Sequence, residues 1–162
     1  MSSPGTPASG QAPPAGPVLF AYDGSELAGL AVAEAARQLE PGRAALVACV
    51  WQPVDVGFEP VGGSHFDAAD AGAVRAAAEK TAAHGAALAE QAGFRAQSIA
   101  VEGAPSWKGI VELAELRGAS LIVIGSHRRG GLKGHLLGSL ATAVISHSSS
   151  SVLIACSPAP AE

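Results

Sequence analysis

The feature that most constrains this chain is an alternation. Four short apolar runs, PVLFAY, RAALVACVW, SLIVIG and SVLIAC, are separated by segments with helical spacing, and a fifth strand-like run, FRAQSIAVEG, alternates in polarity. Apolar runs of this length, bounded by Gly, Pro, Asp and Ser, read as strands buried on both faces. Each of the first four strands in chain order is followed by a stretch long enough to form a helix, so the order is β-α-β-α-β-α-β-α-β. Helical crossovers between successive strands dictate an open, doubly wound, five-stranded parallel sheet with helices on both faces, an α/β fold.

The helices carry their own punctuation. ELAGLAVAEAARQL sets Leu27, Leu30, Ala31, Ala35 and Leu39 on one face and stops at Pro41-Gly42. The Ala-rich segment from Asp70 closes at Gly93. PSWKGIVELAELRG has Pro105 in its first turn and Gly118 just past its end. LLGSLATAVISHSS is the last helix. The apolar SLIVIG belongs in the middle of the sheet, and the alternating FRAQSIAVEG belongs nearer an edge.

Residues 1–16 hold four Pro, three Gly and three Ser without apolar periodicity, and such a stretch cannot offset its chain entropy by burial. We therefore expect a disordered tail over 1–16, one domain over 17–157 and a short tail over 158–162. The connection from Gln52 to about Asp70 is longer than most ordered loops and reads either as a mobile lid or as disorder.

Composition narrows the function. A net charge of −4, with Lys and Arg scattered apart from Arg128–Arg129, argues against a nucleic-acid partner. No run reaches the ~18 apolar residues of a membrane span. Cys49 and Cys156 both lie in apolar runs, so they read as buried thiols, and the expected home is the reducing cytoplasm.

In open α/β sheets, ligands bind beyond the carboxyl ends of the strands, where strand order reverses. Two strand ends here carry unusual residues. The first run enters Asp23-Gly24-Ser25. The fourth enters a glycine-rich segment from Gly125 to Gly134, with Gly138-Ser139 opening the last helix. Glycines permit close backbone approach to a ligand, and a helix N-terminus attracts anions. Ser139 reads as the N-cap of that helix. Arg128, Arg129 and Lys133 would add positive charge, and Asp23 suits ribose hydroxyls. The bland alternative is that such loops only turn the chain. The segment is neither a Walker A loop nor GxGxxG.

Gly125-Ser126-His127 followed by Gly138-Ser139, together with VLFAYDGS and VEGAPSWKGIVELAELRGASLIVIGS, resembles the universal stress protein family over residues 17–156. ATP-binding members carry Gly, two residues, Gly, nine residues, then Gly-Ser or Gly-Thr. The resemblance implies strand order 3-2-1-4-5, ATP in the crevice between strands 1 and 4, with or without Mg2+, and homodimers formed partly through residues 151–156. By position it places Asp23 at ribose or adenine with Ala21 beside it, and Val50 against the base. Ile124 and Gly125 then lie by ribose and phosphates, and Gly138, Ser139 and Leu140 at phosphate. The family's second glycine is Arg128 here, whose side chain either obstructs the backbone contact or grips phosphate; Gly130 and Gly131 keep the loop flexible.

His127 reads as a phosphate-side contact. His65, His84, His135 and His147 lack metal-ligand spacing and read as solvated or capping. Trp51 and Trp107 read as core or lid packing. No nucleophile–base pair can be assembled from spacing. Three functions follow for comparison: an ATP-binding regulator of stress responses with little or no catalysis, a dimeric interaction or chaperone-like module that binds no nucleotide, and a nucleotidyl transferase, for which no signature is present.

Overall fold

Parallel strands covered on both faces need continuous apolar side chains, and β1 (Val18–Ala21) supplies them, with Val18, Leu19 and Phe20 almost fully buried. The computed structural model describes residues 15–52, 68–127 and 137–157, of which 68–70 as backbone. After β1 come α1 (Glu26–Gln38), β2 (Ala44–Trp51), α2 (Ala68–Gln91), β3 (Arg95–Glu102), α3 (Ser106–Arg117), β4 (Leu121–Ser126), α4 (Ser139–His147) and β5 (Ser151–Cys156). The five strands form one sheet in the order β3-β2-β1-β4-β5, every pair parallel. Val18 stands in register with Ala45 on one side and Leu121 on the other.

The sheet divides the core in two. Val18, Phe20, Tyr22 and Val47 face α1 and α2, where Phe94 meets Phe20 edge-on at 5.2 Å between ring centroids. Leu19, Leu46, Ala48, Ile122 and Ile124 face α3 and α4, where Ile110, Leu113 and Val144 meet them. Each fully buried Leu, Ile or Phe contributes roughly 1.5–3 kcal/mol of transfer free energy. On α2 the buried positions Ala78, Ala82, Ala86 and Ala89 recur at helical spacing, and their small side chains bring the helix close to β2 and β3.

Several expectations shift. β1 is the central strand, and β4 lies beside it, one strand in from β5. β3 is an edge, with Arg95, Gln97, Ser98 and Glu102 exposed, as its alternation implied. Leu30 is not on the inner face of α1; it is 45% exposed, while Leu27, Ala28, Ala31, Val32 and Ala35 are buried. Three residues advance a helix by about 300°, which sets Leu30 some 60° outside the edge marked by Leu27. Pro105 is the N-cap of α3 and not its first helical residue, and Gly118 closes that helix in the left-handed conformation at φ 59°. Most of the connection between β2 and α2, residues 53–67, lies outside the described residues.

Candidate functional site

From β1 the chain runs outward to β2 and β3, whereas β4 and β5 lie on its other side, so the strand order reverses between β1 and β4. A crevice is expected beyond their carboxyl ends. A cavity of about 290 Å³ occupies this position. That is near the lower end of the range for small-molecule sites, roughly 300–1,000 Å³.

Its walls come from six elements. Ala21 ends β1, Ala48 and Val50 come from β2, and Ile124 and Gly125 from β4. Leu27 and Ala28 of α1, Ile110 of α3 and Leu140 of α4 complete the apolar lining. Tyr22, Asp23, Ser25, Ser106 and His127 supply the polar edge. The result is a mostly apolar cavity with a few polar groups in its lining.

Local chemistry explains how the first strand end is held. The Asp23 side chain accepts a hydrogen bond from the Ser25 backbone N–H through Oδ1 at 2.9 Å, closing an Asx-type turn. Gly24 between them has φ +82°. Ser25 is the N-cap of α1, its Oγ accepting from the Ala28 N–H at 3.1 Å. The turn-forming role of Asp23 is therefore real, and the same exposed side chain lines the cavity. Across the rim, Gln52 Nε2 donates to Ser106 Oγ at 2.9 Å, tying the end of β2 to the start of α3.

The second strand end is pinned differently. Ser126, the one buried polar residue among those described, accepts a hydrogen bond through Oγ from the Gly138 N–H at 3.1 Å. This fixes the head of α4 beside the end of β4. Gly138, not Ser139, is the N-cap of α4, and it makes no side-chain cap bond. Ser139 is the first helical residue, because the backbone is already helical there. Gly125 is dictated by packing: a Cβ at this position would lie 2.6 Å from the Leu27 carbonyl oxygen, where β4 passes the first turn of α1.

The expected residues thus gather in large part. Ala21, Asp23, Val50, Ile124, Gly125, His127 and Leu140 all line the one cavity, with Gly138 and Ser139 immediately before Leu140. Arg128 and Gly130 lie outside the described residues. Sequence reasoning missed Tyr22, Ser106 and Ile110. Tyr22 directly precedes Asp23. Ser106 and Ile110, four residues apart on one face of α3, were traceable only through the helix that follows β3.

Burial, reinforced by the nearby Asp23 carboxylate, pushes both the Tyr22 phenol and the Cys49 thiol up from their ordinary values. Two histidines expected as solvated or capping are also ring partners. His84 bonds the Tyr22 hydroxyl, and His147 stacks on Trp107 at 4.2 Å between centroids. Among the described residues no cluster of three His, Cys, Asp or Glu could hold a metal ion, and no helix is long and apolar enough to cross a membrane.

Fold and crevice together define a doubly wound α/β domain with a ligand-sized cavity at its switch point. The chain belongs to the universal stress protein family, whose model matches residues 15–155. It is 42% identical over 65 residues to universal stress protein MJ0577 of Methanocaldococcus jannaschii, a match spanning 40% of each chain. The solved structure of MJ0577 is 24% identical with a TM-score of 0.68, covering 90% of this chain and 98% of that one. A universal stress protein in complex with cAMP is 24% identical with a TM-score of 0.61, covering 88% and 98%. One from Archaeoglobus fulgidus in complex with dAMP is 22% identical with a TM-score of 0.59, covering 87% and 98%. These structural likenesses show the fold.

Proposed function

We propose that this protein binds an adenine nucleotide, ATP foremost, in the crevice between β1 and β4 and acts as a regulator with little or no catalysis. The observation that carries the reading is the convergence of Ala21, Asp23, Val50, Ile124, Gly125, His127 and Leu140 on one cavity. In this reading the adenine ring lies in the cavity against Val50, Ile110 and Ile124. Asp23 faces the ribose, and the phosphates reach the head of α4 at Gly138 and Ser139, with Arg128 and Gly130, just after His127 in sequence, as further phosphate contacts. Mg2+ would travel with the ATP phosphates. The complexes of two structural relatives with cAMP and dAMP support the choice of adenine nucleotides.

Calorimetric titration of ATP tests it, with the double substitution Gly138→Ala/Ser139→Ala as control. Among the described residues a Cβ at Gly138 would meet only Ser126 Oγ, at 3.4 Å, so the control is expected to fold. Micromolar affinity falling at least ~10-fold in the control, or about 1.4 kcal/mol, is the expected outcome. Absence of heat with the wild-type protein overturns the reading.

The same proposal includes a cytoplasmic homodimer. Its support is the β5 edge, where Val152, Leu153 and Ile154 stay half-buried in the single chain. Sedimentation should give a dimer that Ile154→Lys shifts toward monomer. A second reading, an interaction module without nucleotide, draws on Arg128 standing where the ATP-binding pattern has glycine. ATP affinity appearing only in Arg128→Gly would favour it.

A further inference from the structure

The end of β2 is docked on the start of α3 by three contacts. Gln52 Nε2 donates to Ser106 Oγ at 2.9 Å, and the Gly103 N–H donates to the Trp51 carbonyl at 3.0 Å. The third contact is made by Val50, whose Cγ1 lies 3.1 Å from where a Cβ would stand at either Gly103 or Gly109. A Cβ at Gly103 would also lie 2.9 Å from Gly109 Cα, so backbone passes backbone there. Glycine is a poor residue for a helix interior, and at Gly109 the missing side chain is what lets α3 come down on Val50. Three cavity-lining residues, Val50, Ser106 and Ile110, are thereby held together.

Ser106 is half-buried, and its hydroxyl has one proton to give. The Gln52 amide N–H2 can only donate, so it occupies a lone pair of the hydroxyl and leaves the proton over. Among the described residues that proton has no acceptor. The wall therefore carries an aimed but unused donor.

Placement in the sheet says which part of a ligand meets it. β2 and β4 flank β1, so the β2 end of the cavity is the one away from the head of α4. With phosphates at α4 and ribose at Asp23, the base directs its far edge at β2 and α3. In a purine the edge farthest from the ribose carries N1 and the substituent on C6. N3 and N7 are acceptors in every purine, whereas N1 accepts in adenine and is an N–H in guanine and hypoxanthine.

Resting on the nucleotide-binding reading, we infer that Ser106 selects the base by donating its hydroxyl proton to N1 of adenine, with Gln52 as the positioning residue that turns the proton toward the ligand. A purine with N–H at this point sets donor against donor and leaves both unpaired, a mismatch that discriminates far better than shape alone.

ATP and ITP share ribose and triphosphate and differ only at N1 and C6. Both should be titrated calorimetrically into the wild-type protein, Ser106→Ala and Gln52→Glu. Gln52 is exposed and Ser106 half-buried, and both variants are expected to fold. The ratio of the two affinities cancels whatever acts on both nucleotides alike, including repulsion between an added carboxylate and the phosphates. The wild-type protein should prefer ATP, and Ser106→Ala should shrink the preference roughly three- to tenfold, the worth of one hydrogen bond. In Gln52→Glu the carboxylate takes the Ser106 proton, and only lone pairs of the hydroxyl are left to the base. The preference should then fall below that of Ser106→Ala.

A preference unchanged in Ser106→Ala overturns base selection by Ser106. One that falls in Ser106→Ala and no further in Gln52→Glu overturns the positioning role of Gln52. A wild-type protein that binds ATP and ITP equally overturns the inference and leaves the nucleotide reading standing, and one that binds neither overturns both.

Discussion

Gly125 has two claims on it. In the proposed reading it lies by ribose and phosphates, and the packing makes it the point where β4 touches the backbone of α1. The obstacle to a Cβ is the Leu27 carbonyl, which cannot swing aside as a side chain would. Gly125→Ala should therefore cost about 1–3 kcal/mol in urea denaturation, whether or not ligand is present. Loss of ATP binding in that variant would report on the fold, and Gly138→Ala/Ser139→Ala is the cleaner probe. Residues that line the cavity were legible where they sat in a motif: Asp23 comes after β1, Gly125 sits near the end of β4 and His127 directly follows it. Tyr22, Ser106 and Ile110 were not, because their approach to the cavity depends on how α2 and α3 dock on the sheet. No local pattern around Ile110 distinguishes a core isoleucine from a cavity wall.

At the scale of elements, start and stop signals carried most of the information. Asp23-Gly24-Ser25 was read as a turn, and it is one, with Ser25 capping α1. Ser25→Ala should lower stability by about 1 kcal/mol in thermal or chemical denaturation, the usual cost of an N-cap hydroxyl. The left-handed Gly118 ending α3 was equally plain from its position. Two readings moved by a residue, Pro105 and Ser139, since a helix end is fixed by backbone geometry that side-chain preference only biases. Leu30 moved for another reason. Apolar residues on a helix mark the buried arc only when the neighbouring layer extends far enough to cover them, and α1 at Leu30 faces solvent. The Trp107–His147 stack between α3 and α4 had no local signal at all, its partners being far apart in the chain.

For the molecule as a whole, the alternation of strands and helices settled the class of fold, while the order β3-β2-β1-β4-β5 needed the family resemblance. Pairing of β1 with both β2 and β4 is a choice among crossovers that hydrophobic pattern leaves open. Stability against alkali is also a property of the whole. Cys49 and Tyr22 both hold their protons more tightly folded than unfolded. Their contribution is complete below the ordinary thiol value of 9.0 and is lost as pH rises through the higher folded values. The melting temperature should stay level from about pH 7 to 8.5 and fall above about pH 9. Cys49→Ala/Tyr22→Phe should flatten the fall.

The sheet's two borders are unlike. β3 presents Arg95, Gln97 and Glu102 to solvent, and β5 presents Val152, Leu153 and Ile154 half-covered. Charged residues on an edge discourage a further strand from adding there. In the proposed dimer, two copies meeting β5 to β5 about a two-fold axis would cover this apolar border in each, and a third arrival would find charge at either end. Growth by strand addition would then end at ten strands, two copies of five. The difference between one greasy rim and one ionic rim is in this sense a stopping rule, separating a finite particle from a fibre.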